Sequence, residues 1–304
     1  MATYNGLAYL GEQLDSLRNQ TVVPDEVLIC DDCSTDGSAE YVSDYIKRHS
    51  LGSWRLTVNS SNIGWKRNFY QLLEQVTCDY VCLADQDDIW LPTHIEMLAD
   101  VFKRHPEATV VSSLPAFHYE GRGEIEYPDC DGSVCHPTLN CRFGITSQPG
   151  CTYMVKKTLF QKIQHDWDVS LPHDAILYSV SKMMGTLFVL NEVSVIFRRH
   201  ENCASAQRKK GRSELMDELD RLERLLSLLR AVLRRAGDAP FSNQSASTLD
   251  RAERALELRQ RMIAHRSFFD WLRLCSFSDC YASRKNYYCD LWCLVFKNLK
   301  IPRR

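Results

Sequence analysis

"LADQDDIWLP", Leu83 to Pro92, places three carboxylates in four positions directly behind an apolar run, "YVCLA". Asp85, Asp87 and Asp88 repel one another at this spacing, and crowding like charges is costly without a positive partner. The apolar run fits a short buried strand, so the acidic residues fall on the turn at its carboxyl end. Pro92 then opens a helical pattern, "THIEMLADVFKRH". Strand, polar turn and helix in this order form the repeating unit of an α/β sheet, where ligands bind outside the carboxyl ends of the strands.

The same alternation extends in both directions. Leu7, Leu10, Leu14 and Leu17 recur at helical spacing in "GLAYLGEQLDSLRNQ", with Pro24 beyond the end. "EVLIC" reads as a buried strand and "DDCSTDGS" as a polar turn, with Ser38 placed to cap a helix through "AEYVSDYIKRH". "RLTVN" is a strand, "NIGWKRNFYQLLEQV" a loop entering a helix, and "ATVVSS" a further strand. The pattern predicts an α/β fold: a mixed, mostly parallel sheet with helices on both faces. Asp31 and Asp32 end one strand and the acidic trio ends another, so the two turns are expected to share one crevice. Residues 114–150, rich in Gly, Pro, Cys and Asp, show no regular pattern. "CTYMVKKTLFQKI", "LPHDAILYSVSKMMG", "TLFVL" and "VSVIFRRHENCAS" follow.

Composition changes at about residue 208. Two amphipathic stretches, with Gly237 and Pro240 between them, predict an antiparallel helical hairpin. The chain is therefore divided into residues 1–208 and a helical region, 209–304. The final segment from "RSFFDWLRL" mixes aromatic and basic residues. It fits either a helix packed on the domain or a surface that touches an anionic membrane.

The 304 residues are 44% hydrophobic and 25% charged, as in ordinary soluble proteins, and the net charge of -2 gives no pull toward nucleic acid. No apolar stretch approaches the ~20 residues of a membrane span. The N-terminus lacks a basic region followed by an apolar one, which points to the cytoplasm. The 13 cysteines are scattered and odd in number, unlike a disulfide framework. Cys30 and Cys33 form a C-x-x-C, but the intervening aspartates oppose a reactive thiolate, so a structural role is the plainer reading. Cys130, Cys135, Cys141, Cys151 and His136 lack the paired spacing of a zinc ribbon. There is no P-loop and no G-x-G-x-x-G.

Crowded carboxylates after a strand suit a hard divalent cation shared with substrate phosphates, Mg2+ or Mn2+. On spacing alone, an acidic surface turn that caps the next helix fits as well. The order of "MATYNGLAYLGEQLDSLRNQT", "DDCSTDGS", "SNIGWKRNF", "DYVCLADQDDIWLP", "GCTYMV", "HDAI" and "RRHENCAS" resembles family 2 glycosyltransferases with the GT-A (Rossmann-like) fold, especially the rhamnosyltransferase-like branch that builds bacterial surface polysaccharides. The resemblance spans roughly residues 1 to 205. It implies that Thr3, Tyr4 and Asp32 hold the nucleotide base and ribose, and that Asn62, Lys66 and Arg67 contact the nucleotide or its phosphates. Asp85 and Asp87 match the D-x-D motif that binds donor and metal, with Asp88 and His200 assisting at the metal. Asp174 matches the catalytic base, with His173 orienting a neighbour.

The expected activity is inverting transfer of a sugar from a dTDP- or UDP-sugar to a saccharide or lipid-linked acceptor, aided by a divalent cation. Peripheral membrane contact would come through the C-terminal region. The competing readings are a nucleotide-sugar-binding protein without transferase activity and a metal-dependent phosphoryl hydrolase. Three departures from the family stand out. Members carry an apolar strand before the "MATYNG" segment, where this chain starts, which implies either an upstream start or a looser site around Thr3. Cys33 stands where Gly is common, which restricts the turn. "HDAI" lacks the aromatic that often follows the His-Asp pair.

Overall fold

The computed structural model describes residues 1–121, 123–200 and 212–295. Strand β1 (Ala2–Thr3) leads to helix α1 (Leu7–Arg18), then β2 (Val27–Asp31), α2 (Ser38–Arg48), β3 (Trp54–Val58) and α3 (Trp65–Gln75). β4 (Tyr80–Cys82), β5 (Ile89–Trp90) and α4 (His94–Arg104) bracket the acidic turn. There follow β6 (Val110–Tyr119), β7 (Ile125–Glu126), β8 (Val134–Cys135), β9 (Tyr153–Lys156), α5 (Lys157–Ile163), α6 (His173–Met183) and β10 (Leu187–Arg199). Helices α7 (Arg212–Ala236), α8 (Ser242–His265), α9 (Phe268–Arg273) and α10 (Arg284–Val295) end the described chain.

The strands form two sheets. β1, β2 and β3 lie parallel in that order. The second sheet runs β4-β9-β6-β10-β5, with β6 and β10 parallel and β9 and β5 antiparallel to their neighbours. β6 and β9 are joined by a segment whose described residues hold no α-helix, so β9 returns antiparallel instead of crossing over. "TLFVL" and "VSVIFRR" belong to one 13-residue strand, β10. Its register slips between Val189 and Val195, where polar Asn191 and Glu192 bulge out of the apolar alternation.

Each helix follows its apolar stripe. Leu10, Leu14 and Leu17 of α1 are buried with Val42, Tyr45, Trp54 and Trp90. Polar Gln13 and Ser16 of α1 and Gln20 just beyond it are also buried, and their role belongs to the site below. Ser38, expected as a helix cap, is the first residue of α2 after a left-handed Gly37, and its Oγ accepts the Gly6 N–H at 3.0 Å.

α7 and α8 form the predicted hairpin. Arg230 pairs with Asp250 and Glu253 at 2.7 and 2.6 Å, while Gln260 reaches Glu223 at 2.7 Å, so the helices run in opposite directions. Leu219, Leu225, Leu226 and Leu229 share one core with Phe160, Ile163, Ile176 and Leu177. The boundary expected near residue 208 lies outside the described residues. The aromatic tail is largely packed: Trp271 stacks on Tyr287 at 4.8 Å, and buried Asp290 pairs with Arg259 at 2.9 Å and accepts Tyr281 Oη at 2.7 Å. Phe268 and Phe269 remain exposed beside this knot.

Cys33 adopts φ 64°, the left-handed region in which a side chain costs roughly 1–2 kcal/mol. Cys33→Gly relieves that cost but adds about 0.5–1 kcal/mol of chain entropy in the unfolded state. Thermal melting should therefore show a net rise of about 2 °C for a chain of this size. An unchanged or lowered midpoint would show that the turn carries no such strain.

Candidate active site

The acidic turn between β4 and β5 is held by its backbone. Gln13 Nε2 donates to the Asp85 carbonyl at 2.9 Å, Ser16 Oγ accepts the Trp90 N–H at 3.1 Å, and Gln20 Nε2 donates to the Leu91 carbonyl at 2.9 Å. One face of α1, with Gln20 just beyond its end, thus ties down the backbone of the loop on both sides of the carboxylates. Asp88 is 1% exposed. One of its oxygens accepts the Arg198 N–H at 3.1 Å, while Oδ2 is buried without a hydrogen-bond partner among the described residues. A buried carboxylate oxygen without a donor is costly unless a ligand completes it.

Asp87 meets His200 Nε2 at 2.8 Å, and the His200 ring stacks on Tyr9 at 4.6 Å. Tyr9 lies under the Arg198 guanidinium, which also pairs with Glu12. Of the residues singled out from sequence as metal ligands, Asp87 meets His200, whereas Asp88 groups with Asp85 and Cys151. Ligand atoms of Asp85, Asp88 and Cys151 lie within 4.8 Å of one another. The oxygen-rich donor set and the orphaned Asp88 oxygen suit a hard divalent cation. Burial and the neighbouring aspartates push the Cys151 thiol well up, so it stays protonated beside Asp88.

Thr3, Tyr4 and Asp32 gather where β1 and β2 end. Thr3 Oγ1 donates to Asp31 at 2.9 Å, and Asp31 also accepts the Ser34 N–H and hydroxyl. Asp32, 1% exposed, accepts Asn59 Nδ2 at 2.9 Å and the backbone N–H groups of Ile63 and Gly64 at 2.9 and 2.8 Å. Three donors leave this carboxylate about one acceptor position. Asn62 sits exposed on the loop that Asp32 anchors and accepts the Gly64 N–H at 3.0 Å. Arg67 is exposed on the first turn of α3. Lys66 turns elsewhere: Nζ donates to the Ser170 carbonyl at 2.5 Å, in the loop just before α6, and burial and Arg221 lower its pKa.

Asp174 lies in the first turn of α6, where its carboxylate accepts the Ala175 N–H at 2.8 Å. His173 is buried against Phe69, ring centroids 3.9 Å apart, and burial pushes its pKa down to about 4. It is a neutral packing group that fixes the start of the helix. Gly150 makes the close approach possible: a Cβ there would sit 3.0 Å from His173 Nε2 and 3.1 Å from Asp174 Cβ. Gly150 and Cys151 therefore bridge Asp174 to Asp88.

Gln86 has no charge to attract notice, yet its side chain accepts the Tyr4 N–H at 2.7 Å and donates to the Tyr4 carbonyl at 3.0 Å. This clamp joins the end of β1 to the acidic turn. Gln13, Asn59 and Arg198 also support the site without having been singled out. The cysteine alternatives do not assemble. Cys30 is 1% exposed and its thiol is pushed up by burial and the adjacent aspartates, against a redox role. Of the zinc candidates, Cys141 groups with Asp279 and Cys280, and Cys151 with Asp85 and Asp88.

Asp85 is pushed up to about 7 by burial first, then by Asp87 and Asp174, and Asp88 rises well above its usual value for similar reasons. The folded chain then holds protons that the unfolded chain releases above roughly pH 4. The stability they contribute is full below that value and is lost as pH rises through about 7. A divalent cation replaces these protons, so Mn2+ should raise the melting temperature more at about pH 8 than at about pH 5.5. Scanning fluorimetry checks this; an equal gain at both values would remove the turn as the cation site.

The family model described as Glycosyl transferase family 2 matches residues 1–162. The dTDP-rhamnosyl transferase RfbG of Shigella flexneri is 31% identical over 215 residues, covering 66% of this chain and 72% of that protein. Uncharacterised mycobacterial relatives are also matched, the chain spanning 57% of their length. Among solved structures, Staphylococcus aureus TarS 1-349 in complex with UDP-GlcNAc superposes with a TM-score of 0.59 at 20% identity, over 86% of this chain and 71% of that one. The mannosyltransferase PcManGT from Pyrobaculum calidifontis, in complex with GDP-Man and Mn2+, gives 0.56 at 15% identity, over 97% and 83%. With its α/β sheets, its acidic turn and these matches, the chain belongs to glycosyl transferase family 2 and is a glycosyltransferase of the GT-A fold.

Proposed function

We propose that the chain transfers a sugar, rhamnose by its likeness to RfbG, from a dTDP- or UDP-sugar to a hydroxyl of a saccharide or lipid-linked acceptor, with inversion. The carrying observation is the meeting of two carboxylate groups across Gly150 and Cys151: the Asp85–Asp88 turn on one side and Asp174 on the other. Thr3, Tyr4, Asp32 and Asn62 border the place for the base and ribose. Asp32 keeps an acceptor position that suits the imide N–H of uracil or thymine. Asp85, Asp87, Asp88 and His200 would hold Mg2+ or Mn2+. When bound, that cation supplies positive charge to the departing diphosphate.

Asp174 takes the acceptor proton as the acceptor oxygen closes on the anomeric carbon from the side away from the diphosphate. The sugar then passes through an oxocarbenium-like state, as in other glycosyl transfers. The helix start that carries Asp174 is locked by the His173–Phe69 contact, so its carboxylate has little freedom to wander. Lys66, bonded to the loop before α6, adds a cation on the acceptor side.

Asp174→Asn should lower turnover by about 10²–10⁴-fold while nucleotide affinity holds, since general-base help has that size. Full activity in the variant would remove Asp174 from the role. Product analysis of the parent chain should find nucleoside diphosphate. Free inorganic phosphate would point to a hydrolase instead, and binding without turnover to a sugar-nucleotide carrier.

The membrane reading rests on Phe268, Phe269 and Leu272, which are 52%, 76% and 44% exposed beside Arg266 and Arg273. Truncating this segment would also remove Trp271 and Tyr281 from the core, so point changes are the cleaner probe. The double variant Phe268→Ser, Phe269→Ser should lower partitioning onto anionic vesicles by about tenfold or more without changing the melting temperature. Equal partitioning would leave the segment a plain surface.

A further inference from the structure

Beside Asp174 opens a cleft of about 520 Å³, within the ~300–1,000 Å³ of small-molecule sites. Pro172 and Ala175, which flank Asp174 along the chain, form one side. Glu218, Arg221 and Leu222 of α7 and Arg259 of α8 form the other. The helical region thus supplies a wall to a space that adjoins the candidate base.

The charges around this cleft are unevenly matched. Arg259 is neutralised: Asp290 accepts its Nε and one Nη at 2.9 and 3.1 Å, and Glu218 lies close by. At the rim near Ser170 the balance runs the other way. Lys66 Nζ donates to the Ser170 carbonyl, one residue before Leu171 in the cleft wall. Arg224 lies 3.3 Å from Ser170 Oγ and 3.8 Å from Asp168. Arg221 is exposed and pairs with no carboxylate among the described residues, yet it lies near enough to Lys66 to oppose its charge. Three cations thus gather round one carboxylate, Asp168. Such a surplus is costly to hold together, and an anion relieves it. Guanidinium forks fit phosphate oxygens in particular.

We infer that the cleft is the acceptor site and that the acceptor is a phosphorylated sugar, its phosphate seated at Lys66, Arg221 and Arg224 while one of its hydroxyls reaches Asp174. Residues 170–174 link the two ends, and four residues of chain span at most about 14 Å. One molecule can therefore meet the cations and the base together. The acceptor oxygen bonds to the anomeric carbon as the bond to the nucleoside diphosphate breaks, and the hydroxyl proton passes to Asp174. The inference rests on the transferase reading and names the acceptor class which that reading leaves open. A soluble sugar phosphate and a sugar on a lipid diphosphate share this chemistry, and the test separates them.

Calorimetry in EDTA, where the acidic turn repels phosphate, compares glucose 1-phosphate, glucose, and glucose linked to farnesyl diphosphate. Glucose 1-phosphate should bind at least about tenfold more tightly than glucose, and Arg221→Ala should remove about tenfold of its affinity. UDP or dTDP with Mn2+ should bind parent and variant alike. Leu222→Trp, which fills the cleft, should weaken the sugar phosphate as well; if it fails to fold, Arg221→Ala decides alone. Equal affinity for phosphorylated and neutral sugar, no binding of either phosphate probe, or unchanged affinity in Arg221→Ala overturns the inference. Loss of nucleotide binding by the parent chain would strike the transferase reading instead. Within a positive result, tenfold tighter binding of the farnesyl form assigns the phosphate to a lipid carrier, and equal binding assigns it to a soluble sugar phosphate.

Discussion

Mutual repulsion among Asp85, Asp87 and Asp88 is the constraint around which the rest is arranged. A turn that carries three carboxylates is not self-supporting, because its charges drive it apart as its backbone is desolvated. The protein answers with bonds to the backbone of the turn, beside those that His200 and Arg198 make to the Asp87 and Asp88 carboxylates. Gln13, Ser16 and Gln20 fall on one face of α1 and its extension, and each takes a main-chain group near the aspartates. Bonds of this kind each contribute about 0.5–1.5 kcal/mol net, and leaving their buried groups unmade costs more. The leucines on the other face of α1 pack in the core, so one helix anchors both the sheet and the charged loop.

Support for the opposite carboxylate comes from farther along the chain. Asp174 starts a helix whose remaining residues are largely buried, and the leucines of α7 pack in the same core as Ile176 and Leu177. The helical region is thus structural backing for the helix that presents Asp174. The Arg259–Asp290 pair with Tyr281 ties that region to itself through a charge pair that is almost fully enclosed. Removing either partner alone would strand the other, a change that commonly costs 3–5 kcal/mol.

Periodicity made α1, α2, α3, α4, α7 and α8 legible, because their apolar stripes are long and regular. The strand that ends at the acidic turn was legible from "YVCLA" and the charges behind it. Residues 114–150 were not, because beyond the end of β6 at Tyr119 the described part of that stretch is mostly irregular chain with two-residue strands. The extent of β10 was not legible because Asn191 and Glu192 interrupt its apolar run, and a bulge absorbs them. Within the site, the carboxylates announced themselves by crowding. Asp174 has no local signal beyond its His-Asp pair, and its assignment came from resemblance. Gln86, Asn59 and Tyr9 escaped notice for a common reason: their partners lie far off in the chain, at separations such as the 82 residues between Tyr4 and Gln86. Local pattern cannot see such pairs.

The neutral residue set among the aspartates has a practical consequence. The Gln86 side-chain amide touches main chain on one flank of the cleft while its own backbone belongs to the other. Its two amide protons differ in environment, one of them held by the Tyr4 carbonyl. Nitrogen-15 labelling would therefore give a built-in spectroscopic gauge at the seam. The frequency of that one NH2 pair reports the spacing between the two flanks, with no tag or probe added.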